Sequence, residues 1–419
     1  MKKAIYVILS LTLLVTSCSK KAKNEEKKVR TITPIFGMTE ENYQAVLDKS
    51  ILSLGNNYRL KKFIEKYESG EDIYIAAIGG SVTEGAGPTN YTDGYFYQFI
   101  NRLRSEYKRK GSGKVVMNDA ALSGTSSAIG WVRYQSDVID AFGGHVPDLL
   151  IIEFAVNDYM EPTKVRGFEA MIRRALSDNP DCAVIVLYAA ATYGNTQNDM
   201  KPVANFYKVP QISILDAIKQ PMESGQIKKE SFYTDIVHPY KEGHTLMVDC
   251  IINLFRKVED LEADENFPIP ASTKLKPDFV GLVRITGDDE NVKIDAGDFN
   301  QTDENCQTIK KTGKSNFPQN WCHKAGSKSF KMDINCKNLI FLFKEGNAAA
   351  KDVVYGQAEV YIDGKLLDTY NAAKEGGWNN PAVKVIIDEA EAKDHTVEVK
   401  MISGDENKEF TIVAMGYSR

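Results

Sequence analysis

The sequence predicts two folded parts in series: a parallel α/β sheet layered with helices, then an all-β sandwich. Short apolar runs rich in β-branched residues, such as Ile73–Ile78 and Ala183–Leu187, alternate with amphipathic helical stretches, the pattern of a parallel sheet with right-handed crossovers. The pattern changes after a segment carrying Pro268, Pro270 and Pro277. Beyond it, short runs bounded by Gly, Asp and Asn argue for a sandwich, in jelly-roll form. A chain of 419 residues has length for both.

The N-terminus reads as targeting rather than fold. Lys2 and Lys3 precede an apolar run from Ala4 to Val15, then Thr16-Ser17-Cys18. Charge, a short apolar core and small residues describe an export signal over residues 1–17, too short to favour a spanning helix. Cysteine after Val-Thr-Ser resembles a bacterial lipobox, which implies cleavage before Cys18 and lipid on its sulfur. Residues 18–34 are mostly polar and charged and are expected to form a disordered tether. The expected location is the bacterial cell envelope, with the membrane reached through the lipid at Cys18. A net charge of −5 offers no basic footprint, so nucleic acid is not an expected partner.

Residues 35–262 form the α/β part. Thr39 precedes apolar positions Tyr43, Val46 and Leu47, a capped helix start. A second helix, about Asn57 to Tyr67, feeds the first strand, Ile73–Ile78, which ends in Gly79-Gly80-Ser81. A helix through Tyr95, Phe99 and Leu103 follows, then a strand over Lys114–Met117 and the run Asn118 to Ser127 containing Gly124. The third strand, Asp148–Glu153, leads to Asn157-Asp158. A helix over Val165–Ser177 precedes strands at Ala183–Leu187 and Val209–Ile214. Finally Asp235-Ile-Val-His238-Pro239 opens a long helix, with Pro239 suited to its first turn.

In a parallel sheet the carboxyl ends of the strands share one edge, where ligands bind. Ser81, Gly124, Asn157 and His238 are therefore expected to converge. A serine hydroxyl needs a base to become nucleophilic. His238 can be that base, and Asp235, three residues earlier, can orient its ring. The backbone N–H groups of Ser81 and Gly124 and the amide of Asn157 can stabilise an oxyanion.

These four blocks resemble the SGNH hydrolases, the GDSL esterase/lipase superfamily. Gly79-Gly80-Ser81 stands for the Gly-Asp-Ser block, Gly124 for the glycine block, Asn157-Asp158 for the Asn-Asp block, and Asp235 to His238 for Asp-x-x-His. Gly80 replaces the aspartate of the name-giving motif, placing the chain in a GGS-type branch. The resemblance implies a five-stranded flavodoxin-like parallel sheet with helices on both faces, and an esterase using neither metal nor organic cofactor. The expected substrate is a short acyl ester, an acetyl in the first place, on carbohydrate. Three alternatives remain: a lipase or thioesterase, an acyltransferase with the same triad, and a non-catalytic glycan-binding lipoprotein.

Other residues carry weaker expectations. Cys182 and Cys250 read as buried thiols, while export permits a disulfide among Cys306, Cys322 and Cys336. Glu84 and Arg133 are expected at the pocket rim, and His244 on a solvated helix face. Trp131, Tyr159 and Tyr193 are expected to serve ordinary packing in preference to sugar stacking. Residues 263–277 read as a linker and 278–419 as the sandwich, for which two readings compete: carbohydrate binding with Trp321 or Trp378 as a stacking face, and, in preference, packing on the α/β part. Its Glu375–Pro381 loop, carrying Trp378, is placed to reach across to the site.

Overall fold

A computed structural model describes residues 32–159, 162–287, 289–307 and 315–419. The export signal, Cys18 and most of the tether lie outside the described residues. Among the described residues, no helix is long and apolar enough to cross a membrane.

The first sheet is built from β1 (Ile51–Ser53), β2 (Ile73–Gly79), β3 (Val115–Asp119), β4 (Leu149–Glu153), β5 (Ala183–Tyr188) and β6 (Gln211–Ser213), in the order β1-β6-β5-β4-β2-β3. Strands β2 to β6 are parallel and match the five expected from the sequence. The sequence reading passed over β1, a three-residue antiparallel edge strand on β6, too short to show an alternation.

Helices cover both faces of this sheet. On one side α1 (Glu40–Ser50), α2 (Tyr58–Ser69), α4 (Tyr95–Glu106) and α10 (Lys241–Glu259) pack together; α3 (Ser81–Glu84) is a single turn after β2, and α9 (Lys229–Phe232) a single turn ahead of α10. Phe255 of α10 gathers Phe63, Phe99 and Tyr107 in edge-on contacts. On the other side are α5 (Ser127–Tyr134), α6 (Arg166–Asp178) and α7 (Gln197–Phe206). Ala76 and Ile78 of β2 and Leu150 and Ile152 of β4 share a core with that second group, while Ile75, Ala77 and Ile151 are buried on the opposite face. Burial of both faces explains why these strands read as continuous apolar runs. Helices α7 and α8 (Ile214–Glu223) contain Pro202 and Pro221, which hides them from a helix pattern. The last helix begins at Lys241, so Pro239 lies outside it, bridged to Tyr233.

The C-terminal lobe is antiparallel apart from one short pairing. Its strands are β7 (Val283–Arg284), β8 (Val292–Asp295), β9 (Trp321–His323), β10 (Phe330–Asn347), β11 (Gln357–Ile362), β12 (Lys365–Asn371), β13 (Ala373–Lys374), β14 (Asn380–Met401) and β15 (Phe410–Ser418). The expected turn at Asp363-Gly364 joins β11 to β12, with both residues at positive φ. The expected strands at Val383–Ile387 and Thr396–Met401 are one strand, β14, bulged opposite the Cys336–Asn338 stretch of β10. At that bulge the faces of β10 exchange. Before it Phe330, Met332 and Ile334 enter the lobe's own core; after it Leu339, Phe341 and Phe343 do. Ile340 and Leu342 then point the other way, into the core holding α5 and α6, joined by Phe279, Leu282, Phe317, Val413 and Ala414.

Polar contacts reinforce this shared core. Trp131 Nε1 donates to the Phe279 carbonyl at 2.9 Å. The Arg166 guanidinium pairs with Asp388 at 2.8 Å and lies 4.1 Å over the Phe279 ring.

Candidate active site

Strand β2 delivers Ser81 to the carboxyl edge of the sheet as the first residue of α3, largely buried. Across from it, residues 233–239 form a tight loop in which the Thr234 N–H donates to the His238 carbonyl at 2.8 Å. The Asp235 side chain folds back on this loop. Its Oδ1 accepts the N–H groups of Val237 at 2.7 Å and His238 at 2.8 Å. Such local bonding is what aspartate does two and three residues ahead, and it explains the Asp-x-x-His spacing. Oδ2 is left facing His238 Nδ1 at 2.7 Å, and His238 Nε2 lies 2.7 Å from Ser81 Oγ. Burial opposes ionisation of Asp235, but the hydrogen bonds from the His238 ring and from the two N–H groups hold its carboxyl below the usual range. A carboxylate accepts only, so Nδ1 carries the proton and Nε2 is free to accept from the Ser81 hydroxyl.

Asn157 follows β4, and its amide lies against Gly80, where any Cβ would collide with it. Gly124 has φ +68°, and a Cβ there would come within 2.6 Å of Trp378 Cζ2. The C-terminal lobe therefore reaches this glycine, through the loop the sequence marked. The 123–127 segment is fastened at both ends. Glu84 Oε2 accepts the Ser123 N–H at 3.1 Å and also the Ser123 hydroxyl. Gln307 Nε2, from the C-terminal lobe, donates to the Ser123 carbonyl. Asp158 accepts the N–H of Ser127 at 2.7 Å and its hydroxyl at 2.5 Å.

Several expectations are corrected. Glu84 is buried and anchors Ser123 instead of lining a rim. Arg133 is fully buried, holding Ala120 and Asp137. His244 is buried as well: its Nδ1 accepts the Tyr95 N–H at 3.1 Å, so Nε2 carries the proton toward the Ala86 carbonyl. Burial lowers this imidazole to about 4, which keeps it neutral. The Cys182, Cys250, Cys306, Cys322 and Cys336 thiols are all free and buried. Trp131 is a core residue, but Tyr159 and Tyr193 are 68% and 54% exposed and lie 6.4 Å apart. Sequence reasoning missed Gln307, for which no local signal exists, and Glu153. The latter is fully buried at the end of β4 and accepts from Thr83 Oγ1 at 2.9 Å, one turn below the serine.

A five-stranded parallel core with a serine, an imidazole and a carboxylate at its carboxyl rim defines an SGNH-type carboxylic ester hydrolase. Residues 77–246 match the model of the GDSL-like Lipase/Acylhydrolase family. No curated protein matches the chain. Among solved structures it is similar to a two-domain esterase (CEX) active on acetylated mannans, at 22% identity and TM-score 0.76, covering 89% of this chain and 99% of that one. It is likewise similar to the same esterase co-crystallised with mannopentaose, at 24% identity and TM-score 0.74, covering 89% and 98%. The likeness is one of fold, and it spans both lobes.

Proposed function

We propose that this protein is a serine esterase that removes acetyl groups from a carbohydrate. The contact between His238 Nε2 and Ser81 Oγ, at 2.7 Å with Asp235 behind the ring, carries the reading. Ser81 Oγ attacks the ester carbonyl while His238 Nε2 takes its proton. The N–H groups of Ser81 and Gly124 and the amide of Asn157 receive the oxyanion. His238 then protonates the departing sugar hydroxyl, leaving an acetyl-enzyme. Water, deprotonated by the same nitrogen, releases acetate.

Support for a carbohydrate comes from the rim. Exposed large apolar side chains cluster in the site's own segments: Tyr159 after Asn157, Ile236 and Tyr240 around His238, then Tyr193 and Trp378. Flat aromatic faces suit the C–H faces of sugar rings. The solved esterase of this fold that acts on acetylated mannans agrees with that chemistry.

Replacing Ser81 by Ala is expected to abolish acetate release from p-nitrophenyl acetate; retained turnover would remove the nucleophile assignment. The lipid anchor is part of the proposal, resting on the Val-Thr-Ser-Cys18 sequence. Labelled palmitate fed to expressing bacteria should enter the wild-type protein and not Cys18→Ala; equal labelling would sink it.

A further inference from the structure

On the C-terminal lobe, beside Trp378, lies a cavity of about 280 Å³. That lies just below the usual span of ligand sites, roughly 300 to 1,000 Å³, and it suits one ring. Trp378 is shared by two places: its indole touches Gly124 of the candidate oxyanion site and also lines this cavity. Although half exposed, the indole stands on a fastened loop. Gly377 N–H donates to the Lys374 carbonyl and Asn379 N–H to the Glu345 carbonyl, each at 3.0 Å.

The cavity is built on a buried ionic floor. Lys344, 1% exposed, lines it with its ammonium 2.6 Å from Glu409 and against Asp303, and 5.1 Å over the Tyr355 ring. Burial alone would lower this ammonium, but the hydrogen bonds and charges of Asp303 and Glu409 outweigh it and raise it above its ordinary value. Asp303, Cys322 and Glu409 are close enough to hold a metal ion; the Lys344 ammonium meets both carboxylates instead. Around this floor stand Asn347, Tyr355, Asn379 and Asp352, with Tyr355 donating to Asn379 Oδ1 at 3.1 Å.

Amides and a phenol both donate and accept, and carboxylates accept, which is the chemistry of a hydroxyl-rich ligand. Among the charged lining residues, Asp352 and Glu409 outnumber Lys344, and Lys344 is already committed to carboxylates. An anionic ring would meet an excess of like charge. The lining also lacks the apolar run a fatty chain needs.

We propose that this cavity is a subsite for one neutral pyranose unit of the glycan, next to the unit whose ester faces Ser81. The proposal rests on the carbohydrate esterase reading above and adds a place and a charge preference to it. Trp378 forms the wall common to both subsites.

The test uses the full chain and three substrates: p-nitrophenyl acetate, neutral acetylated manno- and xylo-oligosaccharides, and an acetylated galacturonate oligomer. The variants are Asn347→Ala with Asp352→Ala, both on the exposed rim, and Asp352→Asn alone, which removes only charge. The double variant is expected to raise KM on a neutral oligosaccharide about tenfold, as loss of one or two hydrogen bonds does, with p-nitrophenyl acetate turnover unchanged. Asp352→Asn should improve use of the galacturonate oligomer. Neutral-oligosaccharide KM unchanged in both variants overturns the subsite and leaves the esterase reading standing. A parent enzyme that uses the galacturonate oligomer as well as the neutral ones overturns the charge preference. A parent that cleaves p-nitrophenyl acetate but neither neutral oligosaccharide removes the carbohydrate reading and the subsite with it.

Discussion

Position 80 shows how one missing side chain arranges a site. The Asn157 amide occupies the volume a Cβ would take, so the glycine seats the side chain proposed as an oxyanion donor as well as letting the chain turn. Gly80→Ala should displace Asn157 and lower kcat on p-nitrophenyl acetate by about 10²–10³, the loss typical of one oxyanion donor, with KM little changed. Unaltered kcat would mean that the amide of Asn157 takes no part. The four motif blocks were legible because their residue types are rare in combination and their order is fixed by the sheet. The partners holding them were not. Glu84, Asp158 and Gln307 fasten the Gly124 segment through contacts that join distant parts of the chain, and no spacing announces them.

At the scale of elements, β4 carries a buried acid toward the site. Burial raises Glu153 from the ordinary 4.5 to about 7, against the lowering effect of its bonds from Thr83. The folded value lies above the unfolded one, so the native state holds the proton more tightly. Its contribution to stability is complete below about pH 4.5 and is lost as pH rises to about 7. In Glu153→Gln that decline should be absent, and the variant's melting temperature should vary less across this window than the wild type's. Parallel pH profiles for the two proteins would exclude Glu153 as the source. Strands β2, β4 and β5 were readable because two buried faces enforce apolar runs. The length of β14 was hidden by the polar run Asp388–Asp394, which reads as a turn and is instead a bulged stretch of one strand.

Over the whole molecule, the two lobes share one core. Leu342 and Val413 pack with Trp131, Ile129 and Phe168 across the junction. Leu342→Ala should therefore destabilise by about 2–5 kcal/mol, and calorimetry should show both lobes melting in a single transition in wild type and variant alike. Two resolved transitions, with only the later-sequence lobe affected, would show that the lobes are energetically separate. The sequence carried a hint of this junction. Leu339-Ile-Phe-Leu-Phe343 does not alternate as a sandwich strand with one wet face would, and the neighbour on its second face is the α5–α6 surface.

That doubly apolar run has a consequence for how the chain is made. The α/β lobe leaves the ribosome first, so a docking surface already exists when Ile340, Leu342 and Val413 emerge. Produced alone, or fused ahead of its partner, the C-terminal lobe would present them to water as a bare apolar sheet face, the state from which misassembly starts. Moving this lobe onto another enzyme as an interchangeable module would thus require replacing those residues first.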